Sequence, residues 1–167
     1  MKDLIKAILN FFKIDLTKNI QYDRLTNLIL KRVIKKDSNC IDIGCHKGEI
    51  LEIMLKYSPN GKHFAFEPIP SFYDNLKSKF KGSTTIYPYA LSDVEGQTTF
   101  NYVKNAPAYS GLNKRKYAVA NPDIEEINVE IKRLDDLIPK DVKIDLIKID
   151  VEGAEFKVLQ GAKDLIV

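Results

Sequence analysis

The chain has 167 residues and a mass of 19.1 kDa, which suits one domain with a real core. Its 44% hydrophobic and 29% charged residues are ordinary globular proportions and exclude disordered, collagen-like and coiled-coil classes. The 26 basic against 23 acidic residues leave a formal charge of +3, too little to argue for nucleic acid.

Cys40 and Cys45 are the only thiols, and their spacing fits neither a disulfide scaffold nor a four-ligand zinc site. A reducing, cytoplasmic setting is the expectation. The apolar run over residues 4–12 is interrupted by Lys6 and Asn10, and no small-residue cleavage site follows it. Nothing else approaches the roughly 20 apolar residues of a transmembrane helix, so a soluble chain is expected.

Over residues 1–37 the apolar positions Leu4, Ile5, Ile8, Leu9 and Phe12, then Tyr22, Leu25, Leu28, Ile29 and Val33, recur at three and four. That period predicts two helices forming an N-terminal extension. The extension holds nine Lys or Arg against four Asp. Two readings of its basic face stand side by side: the solvated side of a packed amphipathic helix, or contact with an acidic membrane surface or an anionic substrate.

Beyond residue 37 strand and helix alternate. Residues 39–44 predict a short apolar strand, Glu49–Tyr57 a helix, and His63–Phe66 a second strand closed by Glu67-Pro68. A helix over 71–80 and a strand over 85–91 follow, with Pro88 suited to an edge. Residues 98–103 and 127–134 both alternate and are expected to pair as an antiparallel flap. The segment 105–122, with Lys114-Arg115-Lys116, reads as a long loop of the functional or mobile kind. The last elements are a strand over 144–149 and a helix over 153–166 with Phe156, Leu159, Ala162 and Ile166 on one stripe. Helical connections between strands predict a mostly parallel, doubly wound α/β sheet.

Four places carry chemistry. In Asp42-Ile43-Gly44-Cys45-His46-Lys47-Gly48 a strand runs into a loop with two glycines before a helix N-terminus, a setting for a nucleoside-bearing cofactor or for a purely structural turn. It lacks the spacing of the dinucleotide fingerprint. Glu67 ends the second strand, where an acceptor-only carboxylate can take both ribose hydroxyls. Ser92 and Asp93 follow the third strand, within reach of an adenine amino group or capping a turn. Asp150, Glu152 and Glu155 cluster after the last strand, where ligands of open α/β sheets bind, although Glu155 also suits the first turn of a helix.

The strings Asp42-Ile43-Gly44-x-x-x-Gly48, Phe66-Glu67-Pro68-x-Pro70-x-Phe72, Ala90-Leu91-Ser92-Asp93 and Ile149-Asp150-Val151-Glu152-Gly153-Ala154-Glu155 resemble the FkbM family of S-adenosylmethionine-dependent methyltransferases. Leu159-Gln160-Gly161-Ala162 also fits, whereas His46 and the doubled Asp135-Asp136 depart from the family pattern. The resemblance implies a Rossmann-like class I methyltransferase domain over residues 38–167. It further implies S-adenosylmethionine as cofactor, with Asp42, Gly44 and Gly48 around its methionine part and Cys45, His46 and Asp150 also among the cofactor-binding residues. Glu67 would hold its ribose, and Ser92 and Asp93 would lie near its adenine. Such folds carry seven strands, so the resemblance also implies that the C-terminal strands are missing and that 144–149 is an edge.

The expected reaction is O-methylation of a sugar, glycan or secondary metabolite. Glu152 and Asp150, then His46, are the candidates for removing the acceptor proton. No metal and no nucleic-acid partner are expected, and a homo-oligomer is left open. The alternative is a non-catalytic binding or scaffold protein of the same fold. A nucleic-acid base methyltransferase is disfavoured by Asp150-Val151-Glu152-Gly153 where a proline-aromatic string would stand.

Overall fold

The computed structural model describes residues 18–166, so the first of the two N-terminal helices lies outside the described residues. The second forms as α1, Lys18–Val33. It buries Leu30, and Ile34 just beyond it, against Cys40 and Met54.

The predicted alternation follows as β1 (Cys40–Ile43), α2 (Glu49–Tyr57), β2 (His63–Phe66), α3 (Pro70–Lys79) and β3 (Thr85–Tyr87). Local chemistry explains the helix starts. Glu49 and Glu52 occupy the first turn of α2, where the helix dipole favours acids. Pro70 opens α3, where its missing N–H costs nothing.

With β7 (Leu146–Ile149) these strands form a wholly parallel sheet of order β3-β2-β1-β7. Ile41 and Ile43 stand beside Phe64 and Phe66 in register and face Leu134, Val158 and Ala162. On the opposite face Ala65 meets Leu51, Leu76 and Phe80, and Cys40 meets Met54 and Leu30. Helices therefore cover both faces, which is why β1 and β2 are buried at every position.

Pro88 changes the next strand. Lacking an N–H, it cannot extend the ladder. The chain leaves the sheet at Pro88-Tyr89 and re-enters structure as β4 (Ala90–Leu91), so the one strand expected over 85–91 is two strands in different sheets. β4 pairs in parallel with β6 (Ile124–Lys132), which pairs antiparallel with β5 (Gly96–Val103) from Gly96↔Ile131 to Val103↔Ile124. This is the expected flap.

The C-terminal helix also differs from expectation. It is broken at Gly161 into α4 (Glu155–Gln160) and α5 (Lys163–Ile166). A Cβ on Gly161 would lie 2.1 Å from the Ser92 carbonyl oxygen, so the break lets the chain pass close over β4. The buried stripe is Ala154, Val158 and Ala162, whereas Phe156 is 72% exposed and Leu159 and Ile166 also face out. Two apolar series run along this segment, and the smaller side chains permit the closer approach to the sheet. Among the described residues β7 pairs with β1 alone, as an edge strand.

Candidate functional site

From β1 the chain winds outward through β2 and β3, then returns to the other flank of β1 as β7. Where the winding reverses, neighbouring connections leave the carboxyl ends of the strands in opposite directions and a crevice opens. A cleft of about 1080 Å³ lies at this point, bounded by residues after β1, β2 and β7, by the β3–β4 connection and by α1. It is at the upper end of small-molecule sites, roughly 300–1,000 Å³.

The turn after β1 is set by Gly44, at φ 72, where a Cβ would lie 2.0 Å from the Asp150 carbonyl oxygen. Gly44→Ala is therefore expected to cost roughly 3 kcal/mol or more, because it adds both a positive-φ penalty and a backbone clash. Urea unfolding measures it, and a loss below about 1 kcal/mol would contradict this account.

His46 continues the turn at φ 48, and its amide donates to Glu67 Oε2 at 2.8 Å while the Ile69 amide donates to Oε1 at 3.0 Å. Glu67 is 3% exposed, and burial pushes its carboxyl up to about 7 against these two donors. Each oxygen keeps a lone pair for a further donor. The His46 ring packs on Phe72 at 4.5 Å, and its Nε2 is buried with no hydrogen-bond partner. Burial, and then Lys47, hold its pKa below the usual imidazole range, so the ring is neutral at pH 7. Cys45 is a buried wall residue whose thiol is pushed far up by burial, then by Asp42 and Glu67, which removes it as a nucleophile.

Lys148 was not singled out from the sequence, yet it organises the floor. It is the register partner of Asp42 across β1 and β7. Its ammonium lies 3.0 Å from Asp42 Oδ1 and donates to the Gly44 carbonyl at 2.8 Å. Asp42 is fully buried, and burial raises its pKa while Lys148 opposes the rise. Asp42 thus lies beneath the cleft, and Lys148 lines it. A detectable signal was present: one charge in each of two core strands, each needing a partner.

Asp150 and Glu152 both line the cleft after β7. Asp150 is open to solvent, with its Oδ2 4.0 Å from Lys148. Glu152 adopts φ 58 and forms a 2.5 Å ion pair with Arg115, which sits over the Tyr109 ring. Glu155 is structural: its carboxylate accepts the Gly153 amide at 3.0 Å. Burial alone would raise its pKa, but the backbone donors together hold it below the ordinary range.

The long loop is anchored. Asn101 donates to the Gly111 and Leu112 carbonyls, the Val103 amide to Ser110 Oγ, and the Lys104 amide to the Asp123 carbonyl. Its first half supplies Tyr109, Ser110 and Leu112 to the cleft wall. Two of its three clustered cations are already paired, Lys114 with Glu126 and Arg115 with Glu152.

Of the residues expected around a cofactor, Gly44, Cys45, His46, Glu67 and Asp150 line the cleft, and Asp42, Gly48, Ser92 and Asp93 do not. Gly48 starts α2 at φ 76, and a Cβ there would lie 2.6 Å from the Phe80 ring, so its small size serves helix packing. Ser92 donates its amide to the Lys132 carbonyl and its hydroxyl to Asp93 Oδ1. Tyr89, Ala90 and Leu91 face the cleft instead.

A doubly wound parallel sheet with its crevice at the switch point, a glycine turn after the first strand and a buried carboxylate after the second together define a Rossmann-like domain. The chain belongs to the FkbM methyltransferase family: the domain described as "Methyltransferase FkbM domain" matches residues 42–167. Similar curated proteins include Methyltransferase sdnD of Sordaria araneosa, 30% identical over 74% of this chain and 60% of that protein. Methyltransferase 1 of Beauveria bassiana is 28% identical over 77% of this chain and 59% of its own length. The 2-O-methyltransferase NoeI of Sinorhizobium fredii is 27% identical over 83% and 63%. The chain thus spans about three-fifths of the length of these relatives.

Proposed function

We propose that residues 38–167 form the S-adenosylmethionine-binding domain of an O-methyltransferase that acts on a hydroxyl of a sugar, glycan or secondary metabolite, with residues 1–37 as a helical extension. The observation that carries this reading is Glu67: a buried carboxylate held by two backbone amides at the cleft edge, with acceptor capacity left over. Such a group fits the paired hydroxyls of a ribose. Gly44 allows the backbone to approach a ligand closely. Among the charged residues lining the cleft, Asp23, Glu49, Glu67 and Asp150 outnumber Lys47 and Lys148, with Glu152 already paired to Arg115, and this acidic balance suits a cationic ligand. A relative named as a 2-O-methyltransferase supports oxygen as the accepting atom.

The cofactor would supply a methyl group on a sulfonium, and the chain's own task is to order the acceptor and take its proton. Glu152 is the leading proton acceptor, since it lines the cleft and Arg115 fixes its carboxylate. Asp150 and the neutral His46 ring are the other candidates.

Calorimetry with S-adenosylmethionine and S-adenosylhomocysteine, followed by a screen of hydroxylated acceptors, tests the proposal. Absence of binding would leave the non-catalytic reading of the fold. With an acceptor in hand, Glu152→Gln is expected to lower kcat by about 10²–10⁴ and leave S-adenosylhomocysteine affinity unchanged. Arg115→Gln is the control. If it reproduces the whole loss, Glu152 serves only to hold the loop.

A further inference from the structure

The charge of this protein is unevenly placed. Residues 1–37 hold nine bases and four acids, so residues 38–167 hold 17 bases and 19 acids, and the whole positive excess belongs to the N-terminal segment. The described part of that segment is α1, followed by Lys35 and Lys36.

α1 packs onto the domain through Leu30, yet its outward face is apolar. Tyr22 is 60% exposed, Leu25 41%, Ile29 59% and Val33 50%, at spacings of three, four and four that align them in one stripe, and Leu28 beside them is 54% exposed. The exposed Lys31 and Arg32 lie on the same helix. Exposed apolar side chains mixed with cations make the surface of a helix that lies in a bilayer interface, with its apolar stripe among the acyl chains and its bases at anionic headgroups.

We propose that α1 docks this protein onto an anionic lipid surface. A second copy would cover the apolar stripe but leave the positive excess of this segment unmatched, whereas an anionic lipid surface takes up both. Tyr22, Asp23 and Thr26 line the cleft, so docking brings the cleft rim beside the lipid surface. Only the corollary that a lipid-borne acceptor lies within reach rests on the proposed methyltransferase function.

The test is co-sedimentation of the full chain with phosphatidylcholine vesicles with and without phosphatidylglycerol, run beside S-adenosylhomocysteine calorimetry. Binding is expected to require phosphatidylglycerol and to fall with added salt. Ile29→Asp with Val33→Asp, and separately Lys31→Glu with Arg32→Glu, are each expected to weaken it about tenfold or more. Nucleoside affinity should stay unchanged in both, which also verifies their folding. A wild-type chain that fails to sediment with anionic vesicles overturns the proposal, as does equal binding to pure phosphatidylcholine. Self-association in solution abolished by the same substitutions, without vesicle binding, assigns the stripe to a second copy instead. Loss of lipid binding with nucleoside binding intact leaves the proposed function standing, and the reverse result separates the two the other way.

Discussion

S-Adenosylhomocysteine is expected to bind about tenfold more weakly at pH 6 than at pH 8, because Glu67 is raised to about 7 and only its ionised form accepts from both ribose hydroxyls. Across that interval the carboxyl passes from mostly ionised to mostly protonated, and each pH unit below its pKa costs up to a factor of ten. Binding should accordingly release a proton, seen as a dependence of the calorimetric heat on buffer ionisation enthalpy. Glu67→Ala should lose affinity on the order of a hundredfold at pH 8, about two charge-assisted hydrogen bonds, and should lose the pH dependence as well. The ligand-free protein carries the opposite sign. A folded pKa above the ordinary 4.5 means that the folded chain holds this proton more tightly than the unfolded one. Stability therefore falls as pH rises from about 4.5 to 7, by about 3 kcal/mol. Nucleoside binding offsets that loss, so the melting temperature should rise more with S-adenosylhomocysteine at pH 8 than at pH 6. An affinity flat across this range in the wild type would contradict the assignment.

Lys148→Met is expected to destabilise the fold by about 3–5 kcal/mol, since it leaves Asp42 buried with its charge uncompensated. Burial already raises Asp42, and removing the ammonium takes away the main influence that opposes the rise. The variant should then regain stability as pH falls and Asp42 takes up a proton, the sign required when a folded pKa exceeds its unfolded value. Adding Asp42→Asn removes the orphaned charge and should recover most of the loss, so the two substitutions are strongly non-additive in a double-mutant cycle. The double variant should fold yet bind S-adenosylhomocysteine less well, because Lys148 also holds the Gly44 carbonyl at the cleft turn. Urea unfolding at pH 5 and pH 8 with parallel calorimetry measures both parts. Additive losses would show that the pair is not coupled.

Features that depend on neighbours in the chain were legible from residue order. The apolar runs at 39–44 and His63–Phe66, the helical period of Glu49–Tyr57 and the turn residues between them act over a few positions, and they yield β1, α2 and β2 where the structure has them. Gly44 and Glu67 were legible for the same reason, since each stands directly after a strand whose end places it at the rim of the sheet.

Features settled by distant contact were not legible. Ala154, Val158 and Ala162 form the buried stripe of the last helical segment because the sheet selects the face that approaches it most closely, a choice that periodicity alone leaves open. Ser92 and Asp93 follow a strand as expected, yet it is Tyr89, Ala90 and Leu91 just before them that line the cleft, a placement that residue order does not specify. Arg115 and Glu152 lie far apart in sequence and meet only because the flap returns its loop to the end of β7. By itself the sequence determined the order of the elements and the acidic, glycine-bearing strand ends, because those follow from local backbone preference and hydrophobic pattern. Only the tertiary structure decided which side chains share the cleft and which charges neutralise one another, because burial and pairing are properties of residues brought together across the chain.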